Sequence, residues 1–260
     1  MTSFKFQAHP VANAFGGPIL WPIEKTNEIM KWYHEFINNA PEELNGFLAT
    51  MIIPGPPFPV HLHKKQFCAI VWCYVGDVEK AQEIFKPILA MNPLFEDVGP
   101  MPYPSLQKMS DGLFPPGLQW YWRADFFNEL GADVSAKHVE FGSKIPTPLS
   151  QMHLYPIGGG AGRVKKDATP WAYRDAKYAG VIVGVDPDPA NAEKITKWCK
   201  DYWASLHPFS SGGAYLNFIM NERQERIKAS YKNNYDRLTK IKSKYDPDNF
   251  FRINQNIIPA

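Results

Sequence analysis

Leu44-Asn45-Gly46-Phe47-Leu48-Ala49-Thr50-Met51-Ile52-Ile53-Pro54 and Phe67-Cys68-Ala69-Ile70-Val71-Trp72-Cys73-Tyr74 are two apolar runs of strand length, separated by a proline-rich loop from Pro54 to Pro59. Prolines bound the first run and none interrupts either, so both read as strands, and their proximity in the chain predicts an antiparallel pair. Upstream, Phe4, Phe6 and Ala8 alternate with polar residues, which predicts a half-buried strand, and Gly17 to Pro22 predicts a second short one. From Ile23 to Asn39 the period changes to that of a helix: Ile29, Trp32, Tyr33, Phe36 and Ile37 share one face, and Ala40-Pro41 closes it.

Downstream, Val78 to Leu89 is again helical, with Asp77 placed as N-cap. Met91 to Pro116 carries six prolines, at 93, 100, 102, 104, 115 and 116, and is predicted to be loop and extended chain. An ordered loop of that length is expected to border a ligand site. Gln119 to Phe127, Gln151 to Tyr155 and Tyr178 to Val185 read as strands, and Ser135 to Phe141 as a helix. Ala190 to Ser205 is an amphipathic helix with Ile195, Trp198, Cys199, Tyr202 and Trp203 on one side. After His207-Pro208 a short strand, Ala214 to Phe218, is expected, then helices over Glu222 to Tyr231 and Asn234 to Tyr245. Hairpin-like neighbours without a βαβ rhythm predict the α+β class, an antiparallel sheet flanked by helices on one face.

The 260 residues suffice for a substantial core, and 45% hydrophobic residues fit a globular protein. Lys and Arg number 28 against 26 Asp and Glu, a net charge of +2, which gives no reason to expect nucleic acid or an anionic membrane as partner. No apolar run reaches the roughly 18 residues of a membrane span, and Met1 to Pro10 does not read as a secretory signal. Three widely spaced cysteines, Cys68, Cys73 and Cys199, argue against a disulfide framework, so a cytoplasmic location is expected.

Short motifs exclude several chemistries. Gly158-Gly159-Gly160-Ala161-Gly162-Arg163 matches neither phosphate-loop pattern, because Arg163 stands where a dinucleotide fingerprint needs glycine and no Gly-Lys-Ser/Thr follows. His61-Leu62-His63 lacks a neighbouring carboxylate or cysteine to complete a metal site, so no metal is expected. Asp246-Pro247-Asp248-Asn249 opens like a calcium loop, but Phe251 replaces the required glycine, and a helix-terminating turn is the better reading. No Gly-x-Ser-x-Gly elbow is present. What remains is a set of aromatic and polar residues: Gln151, His153, Tyr173, Arg174, Tyr215 and Asn217.

The stretch from Tyr231 to Ile257, with Arg237-Leu238, Lys242-Ser243-Lys244-Tyr245-Asp246-Pro247-Asp248-Asn249-Phe250-Phe251 and Asn254-Gln255-Asn256-Ile257, closely resembles the C-terminal signature of the berberine-bridge-enzyme-like FAD-linked oxidoreductases, within the vanillyl-alcohol oxidase / p-cresol methylhydroxylase superfamily. Three further places agree. Thr2 to Phe6 with His9-Pro10, Gly16-Gly17-Pro18-Ile19 and Trp21-Pro22 looks like the exit from that family's flavin domain. Asp167 to Arg174 resembles its Asp-Ala-Thr-Ala-Phe-x-His-Arg segment, with Pro170, Trp171 and Tyr173 in place of alanine, phenylalanine and histidine. Gly213 to Phe218 looks like its Tyr-x-Asn-Tyr/Phe strand near the flavin.

The resemblance implies a C-terminal half lacking the N-terminal FAD-binding domain. It implies terminal strands of the flavin domain over residues 1–22, a substrate-binding domain over 23–207, and over 208–260 a berberine-bridge-type helical segment that belongs to the FAD domain in intact members. The implied activity is oxidation of an alcohol, sugar or related hydroxylated small molecule by hydride transfer to FAD. The alternative is a non-catalytic substrate-domain protein that binds no FAD. Tyr215 is then the candidate catalytic residue, Asn217 and Phe218 face the cofactor, and Gln151, His153, Tyr173 and Arg174 line the substrate. A tyrosine ordinarily loses its proton near pH 10, so a base role calls for a nearby cation, for which Arg174 is the candidate. FAD is not expected to be held by this chain alone. The expected partners are a small-molecule substrate and either a separate FAD-binding chain or a second copy.

Overall fold

A computed structural model describes residues 3–53, 55, 56 and 58–260. Thr2 of the N-terminal motif, and Pro54 and Pro57 of the proline-rich loop, lie outside the described residues. The chain runs β1 (Asn13–Pro22), α1 (Thr26–Ile37), β2 (Leu44–Ile52), β3 (Gln66–Tyr74), α2 (Ala81–Leu89), β4 (Phe95–Glu96), β5 (Gly99–Pro102), α3 (Tyr103–Gln107), β6 (Gln119–Phe127), α4 (Ala132–Gly142), β7 (Gln151–Pro156), α5 (Gly159–Arg163), β8 (Tyr178–Asp186), α6 (Ala192–Leu206), α7 (Gln224–Tyr231) and α8 (Asn234–Tyr245).

All strand pairs are antiparallel, in the order β4-β1-β3-β2-β7-β8-β6, with β5 also on β1. The α+β fold expected from the sequence is therefore the one observed. The two apolar runs pair along their whole length, from Leu44 opposite Tyr74 to Ile52 opposite Gln66.

Strand alternation divides the sheet into two faces. On one, Leu44, Leu48, Ile52, Cys68, Ile70, Trp72, Met152, Leu154 and Ile182 meet Ile29, Met30 and Tyr33 of α1, Phe85 of α2, Val134 of α4, and Trp198, Cys199 and Tyr202 of α6. Each such large buried side chain contributes about 1.5–3 kcal/mol, so this helical layer holds most of the apolar stabilisation. Gly184 lets α6 approach: a Cβ there would lie 2.8 Å from Ile195 Cβ and 3.0 Å from Cys199 Sγ.

The opposite face carries two smaller clusters. Leu20, Ala49, Ile53, Leu62, Phe67 and Ala69 form one, beneath Phe58 and Phe95. Val181, Val183 and Val185 form the other with Ala214 and Ile219 of the C-terminal segment. Because that segment covers one side and α6 the other, β8 is buried at every position.

Several expectations are corrected. Phe4, Phe6 and Ala8 form no strand; the segment is irregular and the two rings stand 71% and 82% exposed, because no neighbouring strand pairs with it. β1 starts earlier than expected and pairs with β3 from Phe15 to Pro22, so it belongs to the main sheet. Residues 214–218 form no strand either: Leu216–Phe218 is a 3-10 turn. Asp77 accepts from the Glu79 amide at 3.1 Å, as a cap should, but of a 3-10 turn that precedes α2. The stretch 91–116 holds the short strands β4 and β5, and β5 tolerates Pro100 and Pro102 because only β1 pairs with it.

The outer edge of β6 is closed by the C-terminal segment. Phe126 donates its amide to Gly213 O and accepts from the Ser211 amide, both at 2.8 Å. No helix among the described residues is long and apolar enough to cross a membrane.

Candidate functional site

β7 places Gln151, His153 and Tyr155 on the face away from the helices, because they alternate with the core residues Met152 and Leu154. They form a continuous ladder. His153 Nε2 lies 2.7 Å from Gln151 Oε1, and His153 Nδ1 lies 2.7 Å from the Tyr155 hydroxyl. On the neighbouring strand Phe47 packs against both rings, with centroids 5.0 Å from His153 and 5.1 Å from Tyr155. Burial lowers the His153 imidazole to about 4 and raises the Tyr155 phenol to about 12, so both are neutral at pH 7. On the other side β8 contributes only Ala179, Val181 and Val183.

The C-terminal segment forms the adjoining wall. Phe218 meets Tyr155 with centroids 5.5 Å apart, Trp122 at 6.4 Å and the edge of Tyr215 at 5.0 Å. Asn217 Nδ2 donates to the Tyr215 hydroxyl at 3.1 Å, and Tyr215 is 40% exposed. The structure thus brings Gln151, His153, Asn217, Phe218 and Tyr215 onto one face, joined through the contact of Tyr155 with Phe218. At the Gln151 end, Leu113 and Phe114 of the proline-rich stretch line a small cleft with Met51 and Leu149.

Tyr173 and Arg174 do not join them. Tyr173 belongs to no strand, so strand alternation cannot aim it at the substrate face. It is buried, stacks on Phe126 with centroids 4.7 Å apart, and directs its hydroxyl to Ala229 O at 3.0 Å. Gly213 passes so close that a Cβ there would lie 2.3 Å from that hydroxyl. Arg174 donates to Trp171 O, Ala161 O and Thr169 Oγ1, and its guanidinium stacks on Trp171 at 4.4 Å. Its hydrogen bonds are spent on that loop and none reaches Tyr215, so it is not the cation expected beside that tyrosine.

What fixes the C-terminal wall is a buried charge cluster. Arg226 of α7 binds the Asp125 carboxylate and donates to Gly212 O at 2.8 Å. His207 Nδ1 meets the other Asp125 oxygen at 2.8 Å. Glu222 pairs with Arg123 at 2.6 Å, and the Trp203 ring lies 5.0 Å from the Arg123 guanidinium and 5.6 Å from that of Arg226. Burial pushes both carboxyls up while the facing guanidiniums pull them down.

The site's fit to a flavin is divided. Exposed Tyr215 and Asn217, opposite the neutral ladder, suit the edge of a planar, uncharged ring system. Around the glycine cluster nothing comparable among the described residues suits a pyrophosphate: Arg163 is paired with Glu42, and the other arginine of that region, Arg174, is engaged as above. No group of three metal-ligating side chains occurs among the described residues, and His63 Nε2 is bound to Phe58 O at 2.7 Å.

The sequence reading missed Tyr155 and Phe47. Tyr155 carries the same two-residue period as Gln151 and His153, which was sufficient signal; Phe47 becomes visible only once β2 and β7 are known to be neighbours. The charge cluster joins residues about a hundred positions apart and has no local signature.

Residues 214–258 match the family described as berberine and berberine like, a span that includes Tyr215, Asn217 and Phe218. A FAD-linked oxidoreductase of Dictyostelium discoideum is 27% identical over all of this chain and 55% of its own length. Berberine bridge enzyme-like 24 of Arabidopsis thaliana is 29% identical over 54% of this chain and 29% of its own. Among solved structures, berberine bridge enzyme from Eschscholzia californica superimposes with a TM-score of 0.77 at 15% identity, over 96% of this chain and 55% of that one. BBE-like #28 from Arabidopsis thaliana gives 0.77 at 19%, over 96% and 56%. The chain spans about half the length of the relatives it matches from end to end, and it is similar along its length to berberine-bridge-enzyme-like FAD-linked oxidoreductases, with the family's C-terminal segment matched over residues 214–258.

Proposed function

We propose that this chain is the substrate-binding portion of an FAD-dependent oxidoreductase that oxidises an alcohol, sugar or related hydroxylated small molecule. The observation that carries this reading is the neutral ladder of Gln151, His153 and Tyr155 lying against Phe218 beside Tyr215, on the one sheet face that the helices leave free. Bound FAD supplies the hydride acceptor. The chain's own residues orient a hydroxylated carbon on this face, exclude water with Phe47 and Phe218, and, with Tyr215 as the phenolate, take up the hydroxyl proton at its oxygen, to which the Asn217 amide donates.

With both arginines beside the glycine cluster engaged within the chain, the cofactor is held jointly with a separate FAD-binding chain or domain. Phe250, Phe251 and Ile253, exposed at 78%, 75% and 86%, and Arg252 between them form the surface for it. The three free cysteines support a reducing compartment such as the cytoplasm. The division into a sheet domain and a 208–260 segment is read the same way, with the second element bridging to the flavin side.

The test is anaerobic incubation of the chain with excess FAD and a panel of alcohols and sugars, following loss of the oxidised flavin band. Protein-dependent bleaching by at least one hydroxylated compound is expected, slowed about a hundredfold in Tyr215→Phe, within the range of a lost general base. No bleaching across the panel, at an FAD concentration where amide shifts show the cofactor bound to the chain, would instead identify a non-catalytic protein.

A further inference from the structure

His153 enters the substrate face with both ring nitrogens committed. A neutral imidazole has one donor and one acceptor nitrogen. Gln151 presents its carbonyl oxygen, so Nε2 carries the ring proton, and the lone pair at Nδ1 is met by the single proton of the Tyr155 hydroxyl. His153 therefore has nothing left to offer a ligand through its nitrogens. Tyr155 does: its proton is spent on His153, and its oxygen keeps a lone pair with no other partner among the described residues. The ring that carries this oxygen is held between Phe47 and Phe218, so a ligand reaching it meets aromatic faces on either side and no formal charge on the ladder.

We infer that the Tyr155 hydroxyl, made a pure hydrogen-bond acceptor by His153, is the group that receives a hydroxyl of an uncharged, aromatic-stacking substrate, and that His153 is a positioning residue. This rests on the reading of that face as the substrate site. It sets a specificity: compounds that donate a hydrogen bond are preferred over those of similar shape that can only accept one.

The test uses benzyl alcohol, a donor, and anisole, an acceptor only, titrated into the full chain with isotope-labelled tyrosine, so that the Tyr155 resonance reports both occupancy and place. Benzyl alcohol is expected to bind about fivefold more tightly, the discrimination of a single hydrogen bond. Tyr155→Phe, followed at the labelled Tyr215 resonance on the same face, erases the preference. His153→Phe narrows it by tightening anisole binding, because the freed Tyr155 proton then donates to the ether oxygen, a gain that loss of packing alone would not produce. Equal affinities in the wild type, or a preference for anisole, overturn the assignment while leaving the site in place; the wild-type comparison needs no variant to fold. If neither compound disturbs Tyr155, both the inference and the reading of this face as the substrate site fall.

Discussion

Arg226→Met is expected to lower the unfolding free energy by about 3–5 kcal/mol, the usual result of removing one partner from a buried ion cluster. The side chains of Asp125 and Glu222 are only 1% and 2% exposed, and both depend on the Arg226 guanidinium, Asp125 through a direct bond and Glu222 at 3.5 Å. Methionine fills similar space but leaves two buried carboxylates facing Arg123 and His207 alone. Arg226 also donates to Ala124 O on the edge of β6, so its loss frees the strand edge that the C-terminal wall covers. The urea midpoint measures the effect, with Arg163→Ala as the control. The Arg163–Glu42 pair is more than 60% exposed on both sides, so its removal costs about 0–1 kcal/mol. A loss below 1 kcal/mol for Arg226→Met would mean that the cluster does not hold the C-terminal segment.

The second large effect lies on the helical side. Trp72→Ala is expected to destabilise by about 3–5 kcal/mol, from lost transfer energy and the cavity left behind. The ring is fully buried, with Trp32, Tyr33, Phe36 and Phe85 at centroid distances of 5.9–6.4 Å. Its indole lies flat on Gly46, where a Cβ would stand 2.4 Å from the ring. Trp72→Phe retains most of those contacts and removes an indole nitrogen that has no hydrogen-bond partner, so its penalty is the smaller of the two. Thermal and urea unfolding of the pair, compared with the wild type, checks the order; equal losses would show that the ring is not close-packed.

The strands were legible because their apolar runs are short, free of internal proline and rich in β-branched and aromatic residues, and the sheet's two faces followed from alternation alone. Gln151 and His153 were placed on one face by that rule, and they lie together on the face away from the helices. It failed where there was no strand: Tyr173 sits in irregular chain, and the segment 214–218 turns instead of extending. There Gly212, at φ +85°, and Gly213, pressed on Tyr173, turn the backbone off the β6 edge and onto the sheet face. Phe4 and Phe6 alternate like a strand but find no partner edge, since β1 is already occupied by β3 on one side and by β4 and β5 on the other. The family was legible for a different reason. The tail from Tyr231 to Ile257 is a long ordered pattern, and neither its exposed phenylalanines nor its helix α8 explains that order from this chain's own packing.

The central claim is that flavin and substrate meet on the face shared by β7 and the C-terminal segment. Titration of the isotope-labelled chain with FAD, read as amide shift changes, tests it most directly, since weak binding is still located by the residues it disturbs. The account predicts changes concentrated at residues 151–155 and 214–218 together with Phe47. Changes confined to the helical side around α1 and α6, or none at saturating FAD, would contradict it.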